Sequence, residues 1–121
     1  MPTIYERLGS ENLQLLVDNF YQAVLRDETI APLFQTDISE VKRKQFMFLT
    51  QFFGGPLLYA EEFGHPRMRM RHLPHRVTEA GAVAWLMCMK GAIEQLPIPS
   101  EFKQEIFQRF PAVAAHMINS R

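Results

Sequence analysis

A single cysteine, Cys88, stands among the 121 residues. One thiol excludes an internal disulfide and any cysteine-rich metal centre, and it suits a reducing cytoplasm. Neither sign of charge is in excess, because 13 basic and 13 acidic side chains cancel. A nucleic-acid or polyanion binder normally carries a basic surplus, so that class of partner is not expected. No apolar segment approaches the roughly 20 residues that cross a bilayer, and no membrane partner is expected either. The opening MPTIYERLGS lacks a basic region followed by an apolar stretch, so the expectation is no secretory signal and a cytoplasmic location. Internal repeats, low-complexity tracts and linkers are missing as well. With 47% apolar residues and this length, the chain reads as one globular domain over 1–121.

Alternation of period two is also missing throughout, and the expected fold class is all-α. Thr3 with Glu6 fits a capping box for a short first helix that stops at Gly9. Leu13, Leu16, Val17, Phe20 and Val24 follow the i, i+3, i+4, i+7 rule from Ser10 onward, with Tyr21 on the face of Val17. Asp27 and Pro32 bracket a turn or single helical turn ending near Phe34. Ser39 is a candidate cap for a third helix with Val41, Gln45, Phe48, Leu49 and Phe52 as its stripe, ended by the glycines of GGP at 54–56. Residues 57–63 carry little pattern. Thr78 is the expected cap of a helix with Ala82, Trp85, Leu86, Met89, Ile93 and Leu96 on one side. Pro97 and Pro99 break it. Ser100 opens the last helix, with Phe102, Ile106, Phe110, Val113 and Met117 inward and a kink at Pro111.

The run FGHPRMRMRHLPHRV, from Phe63 to Val77, holds three of the four histidines. Pro66 suits the first position of a helix, and Pro74 disfavours helix at Leu73, so about two turns are expected, ending near His72. Pro74 separates His72 from His75, and no Cys, Asp or Glu accompanies them, which makes a zinc site awkward. His65 and His75 read as structural or solvated groups. His72 differs, lying between Met70 and Leu73 at the end of a short helix. His116 reads as a packed or surface histidine.

Three otherwise apolar faces each carry a hydrogen-bonding group: Tyr21, Gln45 and Trp85. Such groups need partners when buried. They can bond each other or backbone carbonyls. Alternatively they form a small polar cluster in an apolar pocket, aimed at a ligand. An imidazole on one side and such a cluster on the other is what a haem iron with a diatomic ligand needs.

FYQAV around Tyr21, KRKQFMFLTQFFGGP from Lys42, GHPRMRMRHLP from Gly64, AWLMCM from Ala84 and AAHMINS from Ala114 occur in an order that resembles the group II truncated haemoglobins, across nearly the whole chain. The resemblance implies a two-over-two helical sandwich with haem b, in which a loop precedes a brief proximal helix; residues 57–63 are expected to be that loop. It implies His72 as the proximal iron ligand. Tyr21 matches the family's distal tyrosine, Trp85 its diagnostic tryptophan and Gln45 a distal position. Val41 occupies the place of a distal histidine in ordinary globins and cannot hydrogen-bond, so Tyr21, Gln45 and Trp85 are left to act on the ligand. Phe34 falls at the pocket edge, and Phe48 is counted with the haem contacts. Gly54 and Gly55 match the pair that lets the chain leave the third helix. Arg71, and then Arg69 and Tyr59, are the candidates to pair with propionates. His75 departs from the phenylalanine usual in relatives, and its expected role is haem edge, propionate or solvent.

The function so implied is a haem protein reversibly binding oxygen and other diatomic ligands. The alternative is an enzyme on the same scaffold, a nitric oxide dioxygenase or a peroxidase; these need an electron-donating reductase or a reducing substrate site, and the sequence identifies neither. A third reading is a cofactor-free helical interaction module in which Tyr21, Gln45 and Trp85 are core. Monomer and homodimer are both compatible with the sequence.

Overall fold

The computed structural model describes residues 2–33, 37–64 and 78–118, apart from the side chains of Leu33 and Met117. The expectations for Phe34 and for Arg69, Arg71, His72 and His75 lie outside the described residues, as does the short helix expected before Pro74. Among the described residues every regular element is helical: α1 (Ile4–Leu8), α2 (Ser10–Arg26), a 3-10 turn (Ala31–Leu33), α3 (Ile38–Phe52), α4 (Leu58–Phe63), α5 (Glu79–Glu94), α6 (Ser100–Phe107) and α7 (Pro111–Met117). None of these helices is long and apolar enough to cross a membrane.

Local chemistry sets the boundaries. Thr3 Oγ1 accepts from the Glu6 amide and Glu6 Oε1 accepts from the Thr3 amide, both at 3.1 Å. Gly9, at φ 83°, stops α1 and starts α2. Thr78 Oγ1 accepts from the Gly81 amide at 3.0 Å and caps α5 as the sequence suggests. Three expectations need correcting. Asp37, not Ser39, caps α3, its carboxylate accepting the Ser39 amide at 2.9 Å. A carboxylate two residues upstream meets the free amides better than a hydroxyl already inside the first turn. Residues 58–63 form α4 rather than a loop. Tyr59 and Phe63 lie one turn apart and pack at 4.9 Å between ring centroids, and Gln51 Oε1 accepts the Ala60 amide at 2.9 Å. Finally, Pro111 does not kink one long helix but separates two. It takes the first position of α7, where its missing N–H costs nothing.

The packing follows from the stripes. Leu13, Leu16, Val17, Phe20 and Val24 on α2 have no solvent exposure, each contributing about 1.5–3 kcal/mol of apolar burial. That face packs across α5 and against α3. α5 in turn carries α6 and α7, and α3 carries α4. Two helix pairs thus face one another through the α2–α5 contact, a two-over-two arrangement. The core runs from Leu13 and Phe20 through Leu49, Met89 and Ile93 to Ile106 and Phe110.

α1 is docked at the far end of α3. The Tyr5 amide donates to the Phe53 carbonyl at 2.9 Å. The glycine pair makes this possible. Gly54 has φ 91°, and a Cβ on Gly55 would lie 2.7 Å from the Tyr5 ring and 2.9 Å from the Thr50 carbonyl oxygen. Arg7 then pairs with both oxygens of Glu105, at 2.7 and 3.0 Å, and stacks 4.3 Å from the centre of the Phe102 ring, tying α1 to α6.

Two glycine substitutions should move stability in opposite directions. Gly55→Ala forces Tyr5 or the turn to shift, costing about 1–3 kcal/mol, several degrees in Tm. Gly91→Ala, in α5 with nothing within 4 Å of the added methyl, should gain about 0.5–1 kcal/mol. Thermal unfolding followed by circular dichroism checks both, and a Gly55→Ala protein as stable as wild type contradicts the docking of α1.

Candidate functional site

Four helices carry the candidate side chains. α2 supplies Phe20 and Tyr21, α3 supplies Val41, Gln45 and Phe48, α4 supplies Tyr59 and α5 supplies Trp85. The Phe20 ring is the common neighbour. It meets Tyr21 edge-on at 4.9 Å and Trp85 edge-on at 5.5 Å, so the phenol and the indole, far apart in sequence, flank a single wholly buried ring. Trp85 leans on Phe110 at 5.9 Å, and Phe110 meets Phe52 at 5.5 Å. Phe52 stacks on Phe48 at 5.6 Å, and Phe48 meets Tyr59 edge-on at 5.8 Å. The aromatic chain runs unbroken from Tyr21 to Tyr59 on α4. Phe20, Phe52 and Phe110 were placed by the sequence only as inward-facing residues. The adjacency of Phe20 to Tyr21 was the available signal that one ring spaces the other.

Burial defines what these groups can do. Tyr21 is 3% exposed and Trp85 and Phe48 are each 9% exposed, whereas Val41 and Gln45 are half-buried on α3. Desolvation pushes the Tyr21 phenol well above its ordinary range, so at neutral pH it keeps its proton and remains a donor. Among the described residues, neither the Gln45 amide nor the Trp85 indole N–H donates to a side chain or carbonyl, and no fully buried side-chain nitrogen or oxygen lacks a partner. The Trp85 N–H and the Gln45 amide therefore open onto accessible space rather than being sealed in the core. Mutual bonding of these two groups is not what the structure has. Val41, packed against the core, adds an apolar wall with no donor.

Among the described residues no group of three His, Cys, Asp or Glu side chains could hold a metal. The only histidine among them is His116, exposed in α7. Cys88, on α5, is buried. Desolvation, and then the charge of Asp27, raise its thiol above the usual range, so the free thiol keeps its proton at neutral pH.

Tyr59 is positioned by a surface clamp. Arg43 on α3 donates to both oxygens of Glu62 on α4, at 2.9 and 3.0 Å, and to both oxygens of Glu40, at 2.8 and 3.1 Å. The pairing holds both carboxyls below their usual range. Arg43 and Lys44 also sit over the Phe63 ring, at 5.9 and 5.3 Å. All of these charges are solvated, so the clamp orients α4 more than it stabilises the fold.

Comparison with known proteins adds the following. The family model described as Bacterial-like globin matches residues 3–119. The chain is 46% identical over 115 residues to the group 2 truncated hemoglobin YjbI of Bacillus subtilis, covering 95% of this chain and 87% of that one. The structure is similar to a group II truncated hemoglobin from Bacillus anthracis, with a TM-score of 0.93 and 40% identity over 99% of this chain and 93% of that one. It is also similar to a truncated oxygen-avid haemoglobin from Bacillus subtilis, with a TM-score of 0.91 and 45% identity over 98% of this chain and all of that one. Two further structures of the Bacillus anthracis protein carry a tyrosine-to-alanine and a tryptophan-to-leucine substitution, at positions separated by the same number of residues as Tyr21 and Trp85.

Burial of Tyr21 has a consequence for alkaline stability. The folded phenol holds its proton above the pH at which an unfolded phenol, with a pKa near 10, releases it. Its contribution is therefore complete below about pH 10 and is lost as pH rises beyond that, at up to about 1.4 kcal/mol per pH unit. Tyr21→Phe should flatten the decline between pH 10 and about 11.5 in denaturant titrations. Superimposable slopes in the two proteins would mean that Tyr21 ionises as freely folded as unfolded.

Proposed function

Because the chain belongs to the bacterial-like globins, and within them to the group II truncated haemoglobins, we propose that it holds haem b through His72 and reversibly binds oxygen and other diatomic ligands beside Tyr21, Gln45 and Trp85. The observation that carries this reading is Trp85, whose side chain is nearly buried while its indole N–H has no hydrogen-bond partner among the described residues and stays accessible. A structural tryptophan in a closed core finds an acceptor. One that serves a ligand keeps its donor available.

The residues present fit the cofactor. A bound haem would supply an iron able to take a histidine imidazole and a diatomic ligand. Val41 and Phe48 offer apolar surface for a flat macrocycle, and the donors lie on helices packed around one buried ring. With His116 exposed on α7, an iron-holding imidazole comes from the run 65–77, and His72 is the one we assign. Its role is to present a neutral ring nitrogen. Tyr21 keeps a protonated phenol, and Gln45 and Trp85 bring further N–H groups. All three stabilise negative charge that accumulates on a bound ligand, and none can remove a proton from it at neutral pH. Arg71 is assigned to a propionate, with Arg69 and Tyr59 as further contacts. The resemblance would set Phe34 at the pocket edge, and His75 at the haem edge, on a propionate or in solvent. We further propose that residues 1–121 act as one globin domain in the cytoplasm, with an electron-donating reductase as the partner that keeps the iron ferrous.

An absorption spectrum of the purified protein is the first test: a Soret band that shifts with oxygen and carbon monoxide supports the reading, and its absence after haem addition removes it. His72→Ala should lose haem or abolish the native ferrous spectrum, whereas His65→Ala and His75→Ala retain it. An unchanged ferrous spectrum in His72→Ala moves the proximal bond elsewhere.

Trp85→Phe keeps most of the ring and removes the donor. Losing a hydrogen bond to a charged acceptor costs about 1–3 kcal/mol, so oxygen should leave roughly five- to hundred-fold faster. Carbon monoxide, which gathers less charge, should respond less. Tyr21→Phe is measured alongside, since the donors share a pocket and their effects need not add. A stopped-flow oxygen off-rate equal to that of wild type returns Trp85 to plain packing.

A further inference from the structure

No residue of α4 is buried. The helix runs back along α3, from the end of α3 toward its beginning. The Ala60 amide meets Gln51, the Tyr59 ring meets Phe48, the Phe63 ring lies under Lys44, and the Glu62 carboxylate meets Arg43. The two ends of this stretch differ. Before α4, Gly54 and Gly55 are wedged in place, since an added Cβ would stand 2.7–2.9 Å from Thr3, Tyr5 and the Thr50 carbonyl. After α4, Gly64 at φ 79° has nothing within 4 Å of the same position. Pro56 and Leu57, between the wedge and the helix, are exposed, Leu57 by 57%. The near end is thus anchored by packing, and the far end is fastened by charge.

One guanidinium does the fastening. Arg43 donates twice to Glu62 and twice to Glu40, a planar fork that an ammonium group cannot imitate. Its loss does more than delete an ion pair. The two carboxylates it neutralises are left to repel each other across α3 and α4, with Lys44 the remaining cation beside Phe63. We propose that α4 is a strap that swings off α3 about Pro56 and Leu57, that Arg43 sets how often it does so, and that this opening is a step in haem loss. The last clause rests on the haem reading above. Tyr59, assigned there to a propionate, leaves with the strap. The Phe48 ring, 9% exposed and faced edge-on by Tyr59, is then bared to water. Few buried contacts and solvated charges place such an opening at the low end of local stability, and screening makes it sensitive to salt.

Two readouts on the haem-loaded full chain test the strap and the haem separately. Chymotrypsin cleavage after Tyr59 and Phe63, mapped by mass spectrometry, tracks the fraction of chains in which α4 has left α3. Transfer to an excess of a second, haem-free globin gives the rate of haem loss. Arg43→Gln and Glu62→Gln should each raise both rates about two- to fivefold, the range for solvated ion pairs, and Arg43→Glu should raise them further. The double variant Arg43→Glu/Glu62→Arg should bring both back toward wild type, because the fork then sits on α4 and still finds acids on α3. Raising sodium chloride from about 20 mM to about 500 mM should speed both rates in wild type and change them little in Arg43→Gln. Arg7→Gln, which removes a comparable surface pair between α1 and α6, should change neither. Equal rates in wild type and Arg43→Gln overturn the proposal. So does faster cleavage with unchanged haem loss, a double variant no slower than Arg43→Glu, or an Arg7→Gln protein as fast as Arg43→Gln. A wild-type chain with no Soret band after haem addition fails the haem reading itself, and this inference with it.

Discussion

Everything near the site hangs on one buried ring. Phe20 has no solvent exposure and touches both Tyr21 and Trp85. It fixes the separation of α2 from α5, and with it the separation of the phenol from the indole. A core contact that looks like simple packing thus spaces the phenol from the indole.

The same economy holds at α4. Its six residues are too few to persist as an isolated helix, and its burial is only partial. It is held by Gln51, by the rings of Phe48 and Tyr59, and by Arg43 gripping Glu62. Each attachment comes from α3, the helix that also carries Val41 and Gln45. α3 therefore fixes where α4, and with it Gly64, stands.

Much of this was legible in the residues. The α2 and α5 stripes, the Thr3 and Thr78 caps and the glycine stop after α3 all follow from local periodicity and capping chemistry, and the structure has them where they were expected. Elements whose cause is not local were missed. α4 has no stripe of its own and forms because α3 supplies its partners. Pro111 ends one helix and starts another because Phe110 turns into the core between Phe52, Phe53 and Trp85. That demand comes from residues distant in sequence. Of the candidate site, the polar intruders Tyr21, Gln45 and Trp85 stood out against apolar faces. The role of Phe20 did not, since one more phenylalanine on an apolar stripe carries no mark of what it separates.

The seating of α1 bears on the order in which the chain assembles. Tyr5 and Phe53 meet only after α2 and α3 have folded back, so their hydrogen bond closes a loop of nearly half the molecule. Closing such a loop costs entropy that grows with the logarithm of its length, and the contact rewards it only when the glycine turn is already shaped to admit the ring. The first helix is thus a late arrival, a latch on a body formed by α2, α3 and α5. Its amide protons would exchange with solvent well before those of the helices beneath it, and the Tyr5 amide reports the moment at which that latch opens.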